Sequence, residues 1–133
     1  MLQRFYLIAA GAFYLGFSVP ALVAPVVLMT NMGFTLEDVR GFSETRGIFG
    51  GVLGATGLFC IYAAYKPAFR QTAYIILILF NLGYVFGRTI SLITDGNPGP
   101  IYLTAYSIEW LLFLSASWFY KNTAAEEEPA TVA

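Results

Sequence analysis

Five charged residues stand where a very apolar chain leaves least room for charge: Glu44, Arg46, Arg88, Asp95 and Glu109. Guanidinium beside carboxylate supports three kinds of chemistry. It closes a buried ion pair, it grips an anionic ligand through parallel N–H groups, or it tunes a carboxylate for proton transfer. Spacing narrows the choice. Arg88 lies seven residues before Asp95, roughly 10 Å along a helix from that end. Glu109 lies eight residues past Ile101, roughly 12 Å along the next helix. Two opposite charges at matching depth on successive helices predict a pair, because a lone charge near mid-membrane costs about 3 kcal/mol even on lenient scales.

Helical periodicity extends the cluster. Asn81, Arg88 and Asp95 recur every seven residues, with Tyr84 and Ser91 on the same face. Tyr102, Tyr106, Glu109 and Phe113 form the matching stripe on the last helix. Glu44 and Arg46 are about 200° apart around a helix, so both cannot face inward. Either Glu44 pairs with Arg40 one turn earlier and Arg46 joins the interior, or the reverse. The candidate site is therefore Glu44, Arg46, Arg88, Ser91, Asp95, Tyr106 and Glu109. Its plain reading is an electrostatic staple that fixes helix register. Its functional reading is a polar cavity, opening outward, for an anionic ligand, a lipid headgroup or a proton carried by Glu109.

Other chemistry is poorly supplied. With no histidine, Ser91 and Ser107 have no triad partner. One cysteine, Cys60, precludes an internal disulfide, and haem or His- or Cys-ligated metal is not expected. The segment 95–100 has oxygen ligands without the spacing of a calcium loop and reads as a turn. A net charge of −1 with no basic cluster argues against nucleic acid.

The elements that position these residues are helices in lipid. The chain is 58% hydrophobic and 11% charged, against about 25% charged in soluble domains. A span needs about 20 apolar residues, and four segments qualify: 5–29, 43–65, 71–94 and 101–120. The first is too long for a signal peptide, and Pro20 and Pro25 should bend or end its outer half. Thr35-Leu-Glu-Asp resembles a capping box, predicting interfacial helical turns over 36–42. Residues 122–133, with three glutamates, read as a disordered acidic cytoplasmic tail behind the membrane domain 1–121. Arg4, Lys66, Arg70 and Lys121 flank one side and Arg40, with Arg46, the other, which predicts both termini in the cytoplasm. The fold class is an all-α, four-helix transmembrane bundle of a bacterial inner membrane.

Small residues predict close helix contacts. Gly47, Gly50, Gly51, Gly54 and Gly57 line the second helix, and Gly83, Gly87 and Ser91 the third. They suit packing within one bundle, with a homodimer or close approach of a ligand as alternatives.

The segments Glu44-Thr-Arg46-Gly47-Ile-Phe-Gly50-Gly51 and Gly87-Arg88-Thr-Ile-Ser91-Leu-Ile-Thr-Asp95-Gly96-Asn-Pro98, together with Glu109, resemble a family of small bacterial four-helix membrane proteins catalogued as a domain of unknown function. The likeness runs to about Lys121. It implies a four-helix bundle and a shared set of polar residues, and transfers no activity. The expected role is a small binding or accessory protein, without an assigned catalytic residue, in contact with the bilayer and with a membrane partner, a second copy, or a lipid, quinone or pigment. The rivals are a proton-coupled transporter using Glu109 and a carboxylate-dependent enzyme acting on a lipid-like substrate.

Overall fold

A computed structural model describes residues 1–127, which divide between two compact units, Met1–Pro67 and Ala68–Ala133. Among the described residues every regular element is helical. In the first unit α1 (Leu2–Val23) is followed by the short α2 (Pro25–Asn31). The break falls at Ala24, with φ −140° and ψ 57°. Its cause is Pro25, whose ring disfavours helical geometry at the preceding residue while itself fitting the first helical position. Pro20, by contrast, is accommodated inside α1.

The next helix is continuous from Val39 to Tyr65 but changes pitch. It begins as α3 (Val39–Glu44), widens to a π-helical stretch over Thr45–Val52, and returns to α geometry as α4 (Leu53–Tyr65). The capping residue is Asp38, whose carboxylate accepts from Gly41 N at 2.9 Å. The start predicted at Thr35 is therefore corrected, and the helical turns expected over 36–42 begin at Val39 as the first turns of the long helix. Nothing in 39–52 breaks the ladder, so the helix runs on.

α1 buries Leu7, Ala10, Gly11, Tyr14, Ser18 and Ala21, a stripe at helical spacing, against α4. Gly57 lies against Gly11 and Leu15, Gly54 against Ser18, and Gly50 against Leu22. Arg4 at one end of this antiparallel crossing stands over the Tyr65 ring, 4.3 Å from its centroid. Expected contacts are absent at Gly47, where no described atom lies within 4 Å of a notional Cβ, and Gly51 meets only its own helix. The wider π turn explains Gly47, since it rotates residues before Gly50 off the contact strip. Ser18 donates from Oγ to the Gly50 carbonyl at 2.6 Å, across the helix pair. Ser18→Ala is expected to lower the unfolding free energy by about 1 kcal/mol, read as a fall in melting temperature in detergent.

The second unit is a simple antiparallel pair. A single turn, Pro67–Phe69, leads into α5 (Arg70–Thr94), and α6 (Pro100–Glu127) returns beside it. The connection contains Gly96 and Gly99, at φ 94° and 97°, a region other residues rarely adopt. Tyr74 of α5 stacks on Phe119 of α6 with centroids 5.8 Å apart, and Leu77 and Ala116 are fully buried nearby in the same hairpin. No described atom lies within 4 Å of a notional Cβ at Gly83 or Gly87. α6 extends to Glu127, so residues 122–127, expected to belong to an unstructured tail, are helical; 128–133 lie outside the described residues.

Three helices, Leu2–Val23, Val39–Tyr65 and Pro67–Thr94, are long and apolar enough to cross a membrane. Their outward residues match that solvent: Phe5, Leu58, Leu79, Phe86 and Ile93 are all exposed. The chain has the make-up of a membrane protein in contact with lipid. α6 is long enough, but Glu109 and its tyrosines and serines dilute its apolar content.

Candidate functional site

The paired charges predicted from depth come together in the second unit. Arg88 donates from Nε to both Glu109 oxygens, at 3.0 Å to Oε1 and 2.7 Å to Oε2. The side chains are 26% and 11% exposed, so the carboxylate is the more deeply buried partner. Two rings flank the guanidinium: its Cζ lies 5.9 Å from the centroid of Tyr84 and 5.8 Å from that of Tyr102. Both are close enough for cation–π attraction. The aromatic pair holds the guanidinium in place while the carboxylate holds one of its edges.

Only the Nε edge is used. The terminal amino groups of Arg88 make no hydrogen bond among the described residues. Arg88 also lines a cavity of about 170 Å³. Arg88, Ser91, Tyr102 and Tyr106 give it a polar side, and Leu92, Pro98 and Leu103 an apolar one.

The hydroxyl groups around the cavity have assignable directions. Thr89 donates to the Val85 carbonyl at 2.7 Å, which commits its single proton. The 2.9 Å contact between Thr89 Oγ1 and Tyr106 Oη therefore has Tyr106 as donor. The Tyr106 oxygen is also met by the Trp110 side chain, whose indole N–H can only donate, and keeps one lone pair to offer. Ser91 donates to Asp95 Oδ2 at 2.8 Å, one helical turn on, and so ties the acidic residue to the end of α5.

Five of the seven expected residues thus lie in this hairpin: Arg88, Ser91, Asp95, Tyr106 and Glu109. Asn81, expected on the same stripe, is buried and donates to its own helix at Leu77 O, 2.7 Å away. Glu44 and Arg46 belong to the first unit, where both are exposed and Thr45 between them is 4% exposed. The buried residue of that turn is Thr45. No ion pair joins Glu44 to Arg40 among the described residues. Arg46 instead reaches the Leu22 carbonyl at 3.4 Å and stands 5.8 Å from the Phe42 ring centroid. Leu22 precedes the break at Ala24.

Sequence reasoning missed Thr89, which fixes the Tyr106 hydroxyl, and the apolar wall of Leu92, Pro98 and Leu103. Thr89 carried a usable signal, since a helical threonine commonly bonds the carbonyl four residues back. The apolar wall carried none, as leucines are everywhere in this chain. No curated protein and no solved structure matches the sequence. The profile of one family does match, over residues 2–120, and the chain belongs to that family, described as Domain of unknown function (DUF4345).

Proposed function

We propose that this is a small integral-membrane binding or accessory protein whose site is the Arg88–Glu109 pair and the cavity beside it. One observation carries the reading: Arg88, held through Nε alone by a buried carboxylate and with no hydrogen bond from its terminal amino groups among the described residues, lines a cavity. A staple built only for helix register would gain more from the forked geometry, in which two parallel N–H groups each meet one carboxylate oxygen, than from Nε alone shared between both. In this reading α6 is the fourth span, both termini are cytoplasmic, and the site lies in the outer half of a bacterial inner membrane. The excess of Arg4, Lys66, Arg70 and Lys121 at one end supports that orientation. The transporter alternative draws less support, because both Glu109 oxygens accept from Arg88 and a proton carrier must release that partner.

The test compares the wild-type chain with Arg88→Leu/Glu109→Leu, which removes both charges together. Each is purified in mild detergent, and small molecules carried through are identified by mass spectrometry. The wild type is expected to retain a species that the double variant loses, with both folded by circular dichroism. A species retained equally by both, or nothing retained by either, overturns the reading.

A further inference from the structure

We infer that the cavity takes the singly charged anionic head of an amphiphile, a phosphate or carboxylate whose oxygens accept from the terminal amino groups of Arg88. This rests on the cavity being a binding site, and adds the class of molecule. The donors set the chemistry. Terminal guanidinium N–H groups lie in one plane and match an anionic oxygen pair; those of Arg88, a residue lining the cavity, make no hydrogen bond among the described residues. Glu109 cancels the net charge of Arg88 at 2.7 Å. Attraction therefore comes from directed donors rather than surplus charge, which suits a monoanion better than a dianion. Tyr106, its proton committed to Thr89, offers an acceptor for a hydroxyl or protonated oxygen on the same head.

Size and lining decide against a free ion. About 170 Å³ is near the size of a benzene-holding cavity, and below the about 300–1,000 Å³ that encloses a drug-sized molecule. A head fits and a chain must continue outside. The lining suits a chain that continues into hydrocarbon: Leu92, Pro98 and Leu103 are among the residues around the cavity, and Ile93 and Ile101 nearby in sequence are 79% and 70% exposed. Asp95, exposed and held by Ser91 at the turn end of α5, sets a negative charge at the aqueous edge. A soluble anion meets that charge first; a head anchored in the bilayer arrives from the side of the hydrocarbon.

Trp110 provides the readout, since its ring centroid lies 6.4 Å from that of Tyr106 on the cavity wall. Trp118→Phe leaves Trp110 as the one tryptophan. This chain, in vesicles of dioleoylphosphatidylcholine, is titrated with dibromostearate and, separately, with a brominated monoacylglycerol as the neutral control. Saturable quenching by dibromostearate, displaced by hexadecyl phosphate, is expected. Arg88→Lys keeps the charge beside Glu109 and loses the terminal amino groups, so half-saturation should rise about tenfold or more. Displacement by inorganic phosphate as effective as by hexadecyl phosphate overturns the amphiphile and assigns the anion to the aqueous phase. Saturable, Arg88-dependent quenching by the neutral lipid overturns the anionic head while leaving the binding site standing. Quenching that rises without saturation for every probe, unchanged in Arg88→Lys, overturns both.

Discussion

Arg88→Leu is expected to destabilise the protein by about 3 kcal/mol or more, and adding Glu109→Leu to recover most of that loss. The asymmetry follows from burial. Removing the guanidinium strands a carboxylate that is 11% exposed and has both oxygens committed to Arg88. It must then hold its charge against a poor solvent or take up a proton. Removing both charges leaves two leucines in a hairpin already lined by apolar side chains, and the desolvation cost disappears with the attraction. The partial exposure of Arg88, 26% of its side chain, places the single variant at the lower end of what a buried pair costs. Thermal unfolding in one detergent, with yield as a second readout, ranks wild type, single and double variants. Single and double variants melting together would mean that the pair sets nothing in the fold.

That pair was legible before any coordinates, and the reason is the solvent. Hydrocarbon is so intolerant of an isolated charge that depth alone predicts the partner of Arg88, and Glu109 answers it at 2.7 Å. Ser91 and Asp95 were legible for a plainer reason, being one helical turn apart. The break at Ala24 was written by Pro25. The end of the last helix was misjudged from its charge, although alanine and glutamate are good helix formers and the sequence has neither glycine nor proline between Ile101 and Glu128. Acidic composition described the solubility of 122–127, not its backbone.

The surroundings of Glu44 and Arg46 were not legible, and the π-helical stretch is why. Projection onto an ideal helix assigns each residue a fixed angle, so a widened turn over Thr45–Val52 displaces everything before it. Thr45 occupies the inward place and the two charges flank it outside. A pitch change has no compositional mark beyond glycines, and this chain has glycines on α1, on the helix from Val39 to Tyr65 and on α5. The direction of the Tyr106 hydroxyl was equally hidden, because it depends on where the single proton of Thr89 goes.

The glycines themselves separate into two kinds, and this yields the second large effect. Gly57→Ala is expected to cost about 1–3 kcal/mol or more, whereas Gly83→Ala should be neutral or stabilise by up to about 1 kcal/mol. A Cβ at Gly57 would lie 2.8 Å from the Gly11 carbonyl oxygen and 3.0 Å from Leu15 Cγ. The first of these is backbone, so no rotamer change relieves it and the helices must part. The contact is reciprocal: a Cβ at Gly11 would lie 2.7 Å from the Gly57 oxygen. Parting α1 from α4 also stretches the Ser18–Gly50 bond, the tie between α1 and the π-helical stretch. Gly83 sits mid-way along α5 with open space around it, so an added methyl only improves helix propensity. Both variants melt in the same micelle, and the difference between them is the measurement. Equal gain at both positions would mean that glycine acts through helix propensity alone, and that the close approach of α1 and α4 does not hold the first hairpin together.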